Sequence, residues 1–455
     1  MVGFAALRRL RIRRRYNAGE YKAAEALARK ELNSSANRRF AVDILLRAAY
    51  NQGNWDEVLS LAERFPDVEM AALVDRTRRH ALGVQKEKHR DAEPNTPRVW
   101  NEDHLLSNWF QEDARLWLCH PWGHVYWDMP KGFTLEATSP ALLHLALEVL
   151  LGPWVPSTKR WPEDVRRSEG QRLALSYSGG VDSTAAMVLL PEDTLLAYHE
   201  RSFPSMLSHS LPHLTFEAIA QRSGREVLCV PSNHERIRTL HGKQTGFSTA
   251  NAAAVHLILL ADHLDLRGIA FGTPIDNTWL EKGKRFRDFS ASHYWTHWSA
   301  KFRLAGLHYV LPINHISEAG ALEVCRQSPW KDVVNSCLRG VNERWCGRCW
   351  KCFHKNGPLG RDFDPQSTEI QTFLNTTPLR TAQHALWALK TQNLVDLAPH
   401  LAPCLEEDLS WWVQAYRPGL ALLDERWRAG VEANTEAHLT WMMDPAPLES
   451  VDLNL

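Results

Sequence analysis

Residues 173–190 read LALSYSGGVDSTAAMVLL, and no other stretch restricts the fold as strongly. The apolar run Leu173–Tyr177 has the length of a buried strand, and Ser178-Gly179-Gly180-Val181-Asp182-Ser183-Thr184 forms the turn after it. Ala185 and Ala186 lie on a short helix that stops at Pro191. A strand that feeds straight into a helix is half of a crossover unit, and such units build parallel sheets. The alternation continues along the chain. Strands are predicted at Leu173–Tyr177, Thr194–His199, Glu226–Val230, Gly268–Gly272 and His308–Pro312, with helices near Pro212–Ser223, Thr249–Leu264 and Ser292–Ala305. The expected fold class is α/β, a doubly wound parallel sheet whose ligand sits at the carboxyl ends of the strands.

The turn itself carries chemistry. Paired glycines let the backbone bend tightly and approach a ligand with no Cβ in the way. The turn opens onto a helix N-terminus, where free N–H groups and the dipole favour an anion. Ser178, Ser183 and Thr184 add hydroxyls, and Asp182 adds a carboxylate able to hold hydrated Mg²⁺. Ser178, Gly179, Gly180, Val181, Asp182, Ser183 and Thr184 therefore read as a di- or triphosphate site; the competing reading is an ordinary glycine turn. The Walker spacing and its lysine are absent. Ser-Gly-Gly-x-Asp-Ser after a strand resembles the PP-loop of the ATP pyrophosphatases. That resemblance implies ATP with Mg²⁺, cleavage between the α and β phosphates, and an adenylated substrate. AMP and pyrophosphate are then the products. Asp182 and Ser183 are the residues expected to take part.

Cys337, Cys346, Cys349 and Cys352 have the spacing C-x8-C-x2-C-x2-C. Four thiolates so spaced can close a tetrahedron around Zn²⁺, and a closed set of four leaves no position for water, so the zinc would be structural. Arg339, Arg344, Arg348, Lys351 and Lys355 lie beside them and would offset the negative charge of the centre. An iron–sulfur cluster and catalytic or sulfur-carrying thiols stay open as alternatives. Ser336-Cys337-Leu338-Arg339-Gly340 followed by Cys346-Gly347-x-Cys349-x-x-Cys352 resembles the zinc motif of the cyano-deazaguanine synthases of the queuosine pathway. Leu311-Pro312-Ile313 is similar to them as well. Such enzymes activate a carboxylate with ATP, convert it to an amide with ammonia, and dehydrate the amide to a nitrile. Related proteins occur in bacterial anti-phage islands with altered substrates. The resemblance covers roughly residues 172–360.

Two departures separate the chain from those synthases. Their Tyr-Pro-Asp-Cys-Arg stretch has no counterpart here, and a lysine expected just after Pro312 is replaced by Ser317-Glu318. ATP activation and zinc carry over, whereas the deazaguanine substrate does not. The expected function is an ATP-dependent ligase or amidotransferase acting on a small-molecule carboxylate. RNA modification, of the thiolation or lysidine type, and nucleotide-regulated partner binding are the alternatives.

Gly272-Thr273-x-x-Asp276-Asn277 ends a predicted strand on the same sheet edge as the glycine loop. Asp276 can bind metal or orient a nucleophile there; an Asx turn is the plain alternative. Lys282, Lys284, Arg285 and Arg287 follow, as cations for a leaving pyrophosphate or as a solvated loop. Tyr198-His199-Glu200-Arg201 ends the second strand and receives no side-chain role. His241, His293, His297 and His308 lack ligand spacing.

The first 90 residues read as helices with an internal repeat. Tyr16-Asn17-Ala18-Gly19-Glu20-Tyr21 recurs as Tyr50-Asn51-Gln52-Gly53-Asn54-Trp55, an offset of 34 residues, and Leu27-Ala28 recurs as Leu61-Ala62. Thirty-four is the period of tetratricopeptide helix pairs, and a cap is expected near Met70–Leu82. Such repeats imply a protein partner or a docking face on the enzyme body. Arg8, Arg9, Arg11, Arg13, Arg14 and Arg15 read first as a solvated helix face and second as a phosphate or RNA stripe. Residues 84–97 read as a linker. Seven of the 19 tryptophans lie between Trp100 and Trp161, within an aromatic-rich module at 98–165. Its predicted strands, Arg115–Cys119 and His124–Trp127, flank a turn at 120–123, and a buried helix is expected at Ser139–Leu151. The nucleotide domain is placed at 170–362. Helices, including Thr377–Thr391, and the Trp411-Trp412 pair occupy 366–455.

Lys+Arg and Asp+Glu both number 53, so net charge points neither to nucleic acid nor to a membrane. No leader-like apolar segment follows the N-terminal charges, and four of the eight cysteines crowd into 337–352 rather than forming a disulfide framework. A reduced, cytoplasmic setting is expected.

Overall fold

The computed structural model describes residues 4–17, 20–52, 54–66, 73–74, 77, 93–162, 165–202, 210–243, 245–337, 339–340 and 344–453. The expected cap at 70–82 and linker at 84–97 fall largely outside these residues, as do Gly19 and Gly53.

Helices α1 (Phe4–Asn17), α2 (Tyr21–Lys30), α3 (Arg38–Asn51) and α4 (Trp55–Arg64) pack in succession. They share a core of their own built on Ile12, Ala24, Ala28, Val42, Leu45 and Val58. Aromatic pairs lie where α1 meets α2 and where α3 meets α4. Tyr16 meets Tyr21 at 5.5 Å between ring centres, and Tyr50 meets Trp55 at 5.2 Å.

The rest of the chain is built on one eight-stranded sheet. Its strands are β1 (Trp109–Glu112), β2 (Arg115–His120), β3 (Gly123–Asp128), β4 (Arg172–Ser176), β5 (Leu195–Arg201), β6 (Val227–Ser232), β7 (Leu266–Phe271) and, last in sequence, β10 (His308–Val310). Strands β8 (Leu280–Glu281) and β9 (Arg285–Phe286) form a separate hairpin. The sheet order is β1-β2-β3-β6-β5-β4-β7-β10. From β6 to β10 the pairings are parallel, while β1, β2 and β3 form an antiparallel meander that joins β6 through the single pair Trp127↔Ser232.

This corrects the all-parallel expectation: the sheet is mixed. The 98–165 segment supplies the meander, which joins the sheet at its β6 edge. Its two-residue hairpin is short enough for antiparallel pairing, which a parallel crossover could not manage in that length. One hydrophobic core runs from Trp109 to Val451, so the C-terminal region shares it too.

Helices cover the parallel strands. α5 (Pro140–Leu151) is buried from Ala141 onward and is capped by Ser139 Oγ, which accepts from the Ala141 amide. It is buried around its whole circumference and apolar apart from His144 and Glu148, the latter paired with His297 and Lys301. α6 (Val181–Leu189) follows β4, and α7 (Ser210–Ser223) follows β5. The expected helix at 249–264 is instead a 3-10 turn (Ala250–Ala254) running into the short α8 (Val255–Leu259). α9 (His293–Leu304) starts at the Ser292 cap. Further along come α10 (Glu318–Gln327), α11 (Ala382–Thr391) and α12 (Glu425–Glu436), besides shorter helices, and α6 packs on α10 and α12. Thr377–Thr391 is thus helical only from Ala382, after a left-handed Thr381. Among the described residues no helix is long and apolar enough to cross a membrane.

Candidate functional site: a glycine loop clamped by a cysteine module

Taken in chain order, the parallel strands β4, β5, β6, β7 and β10 lie in the spatial order third, second, first, fourth, fifth. The order reverses between β4 and β7, the crevice where open α/β sheets bind ligands. The glycine loop emerges from β4 at this point. Gly179 has φ +71°, a conformation that favours glycine, and Gly180 is extended as the N-cap of α6. Gly272, just beyond β7, lies so close that a Cβ there would meet the Ser183 amide nitrogen at 2.9 Å. The expectation that these two loops share an edge therefore has a packing basis.

Hydroxyls hold the loop in shape. Ser183 Oγ accepts from the Ser178 amide at 3.2 Å, lies 3.0 Å from Ser178 Oγ, and donates to the Gly180 carbonyl at 3.1 Å. Thr184 Oγ1 turns inward to the buried Tyr177 hydroxyl at 3.0 Å. Thr184 therefore anchors the helix start against the core, whereas Ser178 and Ser183 stay on the loop side. A helix N-terminus with this glycine geometry suits an anion.

The residues after β10 clamp the loop from outside. Ser336 Oγ accepts from the Val181 amide at 3.0 Å, and the Asn335 amide donates to the Gly179 carbonyl at 3.2 Å. Lys355 reaches in with no solvent exposure. Its Nζ lies 2.7 Å from Asp182 Oδ1 and 2.8 Å from Glu318 Oε2. Burial opposes the charge on Lys355, but Asp182 and Glu318 outweigh it and hold the ammonium protonated above its usual range.

Glu318 opens α10, and its amide donates to Asp276 Oδ2 at 2.8 Å. Burial pushes the Glu318 carboxyl up, yet Lys355 foremost and then Lys351, His384 and His354 bring it well below its ordinary value. Asp276 moves the other way. Burial first, and then the Glu318 carboxylate, raise it well above the carboxylate range. The two carboxyls are thus pushed in opposite directions, Glu318 towards its charged form and Asp276 towards its neutral one. Asp276 is enclosed in the 3-10 turn Ile275–Asn277, so it supports Glu318 rather than facing an open space.

The four cysteines converge. Sγ–Sγ distances are 3.9 Å for Cys337–Cys349, 3.9 Å for Cys346–Cys352 and 3.6 Å for Cys349–Cys352. A tetrahedron with 2.3 Å metal–sulfur bonds has edges of about 3.8 Å, so the set can hold a metal such as zinc. Donors aimed at sulfur fit thiolates. The Cys346 amide points to Cys337 Sγ at 3.1 Å, the Arg348 amide to Cys346 Sγ at 3.4 Å, and Asn356 Nδ2 to Cys352 Sγ at 3.4 Å.

Other expected groups lie elsewhere. Arg285 pairs with Asp452 at 2.8 Å, and Arg287 donates to the Thr278 carbonyl, so both are engaged by their own surroundings. Arg201 forks onto Glu235. His241 lies between Trp122 and Trp154, His293 meets His297 at a tilt, His297 meets Glu148, and His308 bridges Glu169 and Asp424. None of these four joins a metal-type cluster among the described residues.

Sequence reasoning missed the roles of Asn335, Glu318 and Lys355. Lys355 was visible only as a charge beside the cysteines, and Glu318 only as the residue standing near a missing lysine.

Residues 297–447 match a family of unknown function (DUF6395). That stretch holds Glu318, the cysteines and Lys355 but not the glycine loop. Searches of curated proteins and of solved structures return no match.

Proposed function

We propose that the chain is a PP-loop ATP pyrophosphatase-type enzyme that adenylates a carboxylate-bearing substrate. It would do so in the manner of the cyano-deazaguanine synthases, on a different substrate. A carboxylate oxygen attacks the α-phosphorus of Mg-bound ATP, and the bond from that phosphorus to the bridging oxygen breaks. Pyrophosphate departs with the electron pair. A nucleophile such as ammonia then displaces AMP from the acyl carbon. In this reading Ser178, Gly179, Gly180, Val181 and Ser183 form the pyrophosphate cradle, Thr184 braces it from the core side, Asp182 serves Mg²⁺, and Lys355 offsets charge on the leaving group. Catalysis rests on positioning and charge, without a protein nucleophile. Zinc on Cys337, Cys346, Cys349 and Cys352 is structural and holds Ser336 and Lys355 against the loop.

The observation that carries this reading is the glycine loop at the reversal of strand order with a buried lysine on its carboxylate. The RNA-modifying alternative gains no support from α1, where Arg8, Arg9 and Arg15 are engaged by Glu31, Asn37 and Glu20. The test is nucleotide product analysis with Mg-ATP and a panel of small carboxylates, together with ATP–pyrophosphate exchange. AMP and pyrophosphate from the wild type, lost in Asp182→Ala, are expected. ADP and phosphate as products, or AMP formation that survives Asp182→Ala, would overturn the reading.

A further inference from the structure

Behind Lys355 three buried groups meet from separate segments. Glu318 opens α10, His354 lies in the π-helical turn Cys352–Asn356, and His384 lies in α11. Both histidines are fully enclosed and Glu318 nearly so. Glu318 Oε2 lies 4.0 Å from His354 Nδ1 and 3.9 Å from His384 Nε2, too far for hydrogen bonds. Two ligand atoms each about 2.1 Å from one ion sit roughly 3.4–4 Å apart. One ligand atom from each of the three residues lies within 4.8 Å of the other two.

Hydrogen bonding leaves the same space unexplained. Neither ring nitrogen of His354 has a hydrogen-bond partner, nor does Nδ1 of His384. Buried polar atoms without partners are uncommon and ask for a reason.

We propose that Glu318, His354 and His384 form a second metal centre, for a divalent transition ion. Two imidazoles and one carboxylate suit Zn²⁺, Fe²⁺, Co²⁺ or Mn²⁺ better than Mg²⁺ or Ca²⁺, and three protein ligands leave coordination positions open. His384 Nε2 also lies 3.0 Å from the His354 carbonyl. Ligation breaks that contact, or a turn of the ring presents the unpartnered Nδ1. The ion displaces Lys355 from Glu318 Oε2, so occupancy leaves Lys355 with Asp182 alone. The proposal does not depend on what the glycine loop binds.

The test uses the full chain, stripped of metal and reloaded with Co²⁺. Metal is counted by mass spectrometry, and its ligands are read from the electronic spectrum. Thiolate-bound Co²⁺ shows sulfur-to-metal charge transfer, and Co²⁺ on imidazole and carboxylate does not. About two ions per chain are expected, about one of them without that signature. His384→Ala and Glu318→Gln should each lose this ion while the thiolate signal stays. A single, wholly thiolate-bound ion in the wild type would overturn the proposal, and so would a second ion that persists in both variants. The wild-type count decides even where a variant fails to fold.

Discussion

Lys355 is enclosed between Asp182 and Glu318, and its removal takes away the ammonium that both carboxylates contact. Breaking a buried pair by deleting one partner costs about 3–5 kcal/mol, because the remaining charge is stranded. Lys355→Met should lower the denaturant midpoint accordingly and abolish AMP formation. Adding Glu318→Gln should restore part of the stability, since one stranded charge is gone, and leave AMP formation absent. AMP formation that persists in Lys355→Met would remove the lysine from the reaction. The sequence placed Lys355 three positions past Cys352, where charge balance against thiolates was the natural reading. Its contact with Asp182 spans 173 residues and leaves no trace in any local pattern.

At the level of elements, the approach of Gly272 to the start of α6 is the tightest constraint on the loop. A methyl group there meets backbone atoms of Asp182 and Ser183, which cannot rotate aside as a side chain can. Gly272→Ala should cost about 1–3 kcal/mol through overpacking and displace the first turn of α6. Thermal unfolding and the affinity for a non-hydrolysable ATP analogue measure the two effects. Unchanged affinity would separate this contact from the site. The five parallel strands were legible because each is a short apolar run bounded by turn residues, and their ends agree with the structure within about two or three residues. The segment at 249–264 was not, because a continuous apolar run looks the same in a helix and in a 3-10 turn that leads into one. Ser317-Glu318 was read as a departure from a family pattern. It is the cap and first residue of α10, with Ser317 Oγ accepting from the Ala319 and Gly320 amides.

Across the whole molecule, burial keeps several histidines neutral. His120 and His315 are pushed down to about 3 and His256 to about 4, by loss of solvent in each case. In the unfolded chain these rings titrate near 6.5. The folded values lie lower, so the unfolded chain binds more protons as pH falls below about 6.5. Their contribution is fully present above that point and is lost on acidification, by up to about 4 kcal/mol per pH unit for three rings. Denaturant midpoints measured from pH 7 to pH 5 should fall, and a flat profile would contradict the burial of these groups. The meander was the part of the architecture hardest to foresee. Its strands were partly visible, but only the pairing of Trp127 with Ser232, distant in sequence, makes them part of the same sheet.

The 173-residue separation of Asp182 and Lys355 also sets an order of events during synthesis. At 5–20 residues per second, the ribosome needs on the order of ten to thirty seconds to make the second partner after the first. A nascent chain released early would carry the glycine turn with its acid bare and its clamp missing. Premature termination anywhere before Lys355 thus yields a product without its counter-ion, and only a polypeptide that extends past it has both halves of the lock.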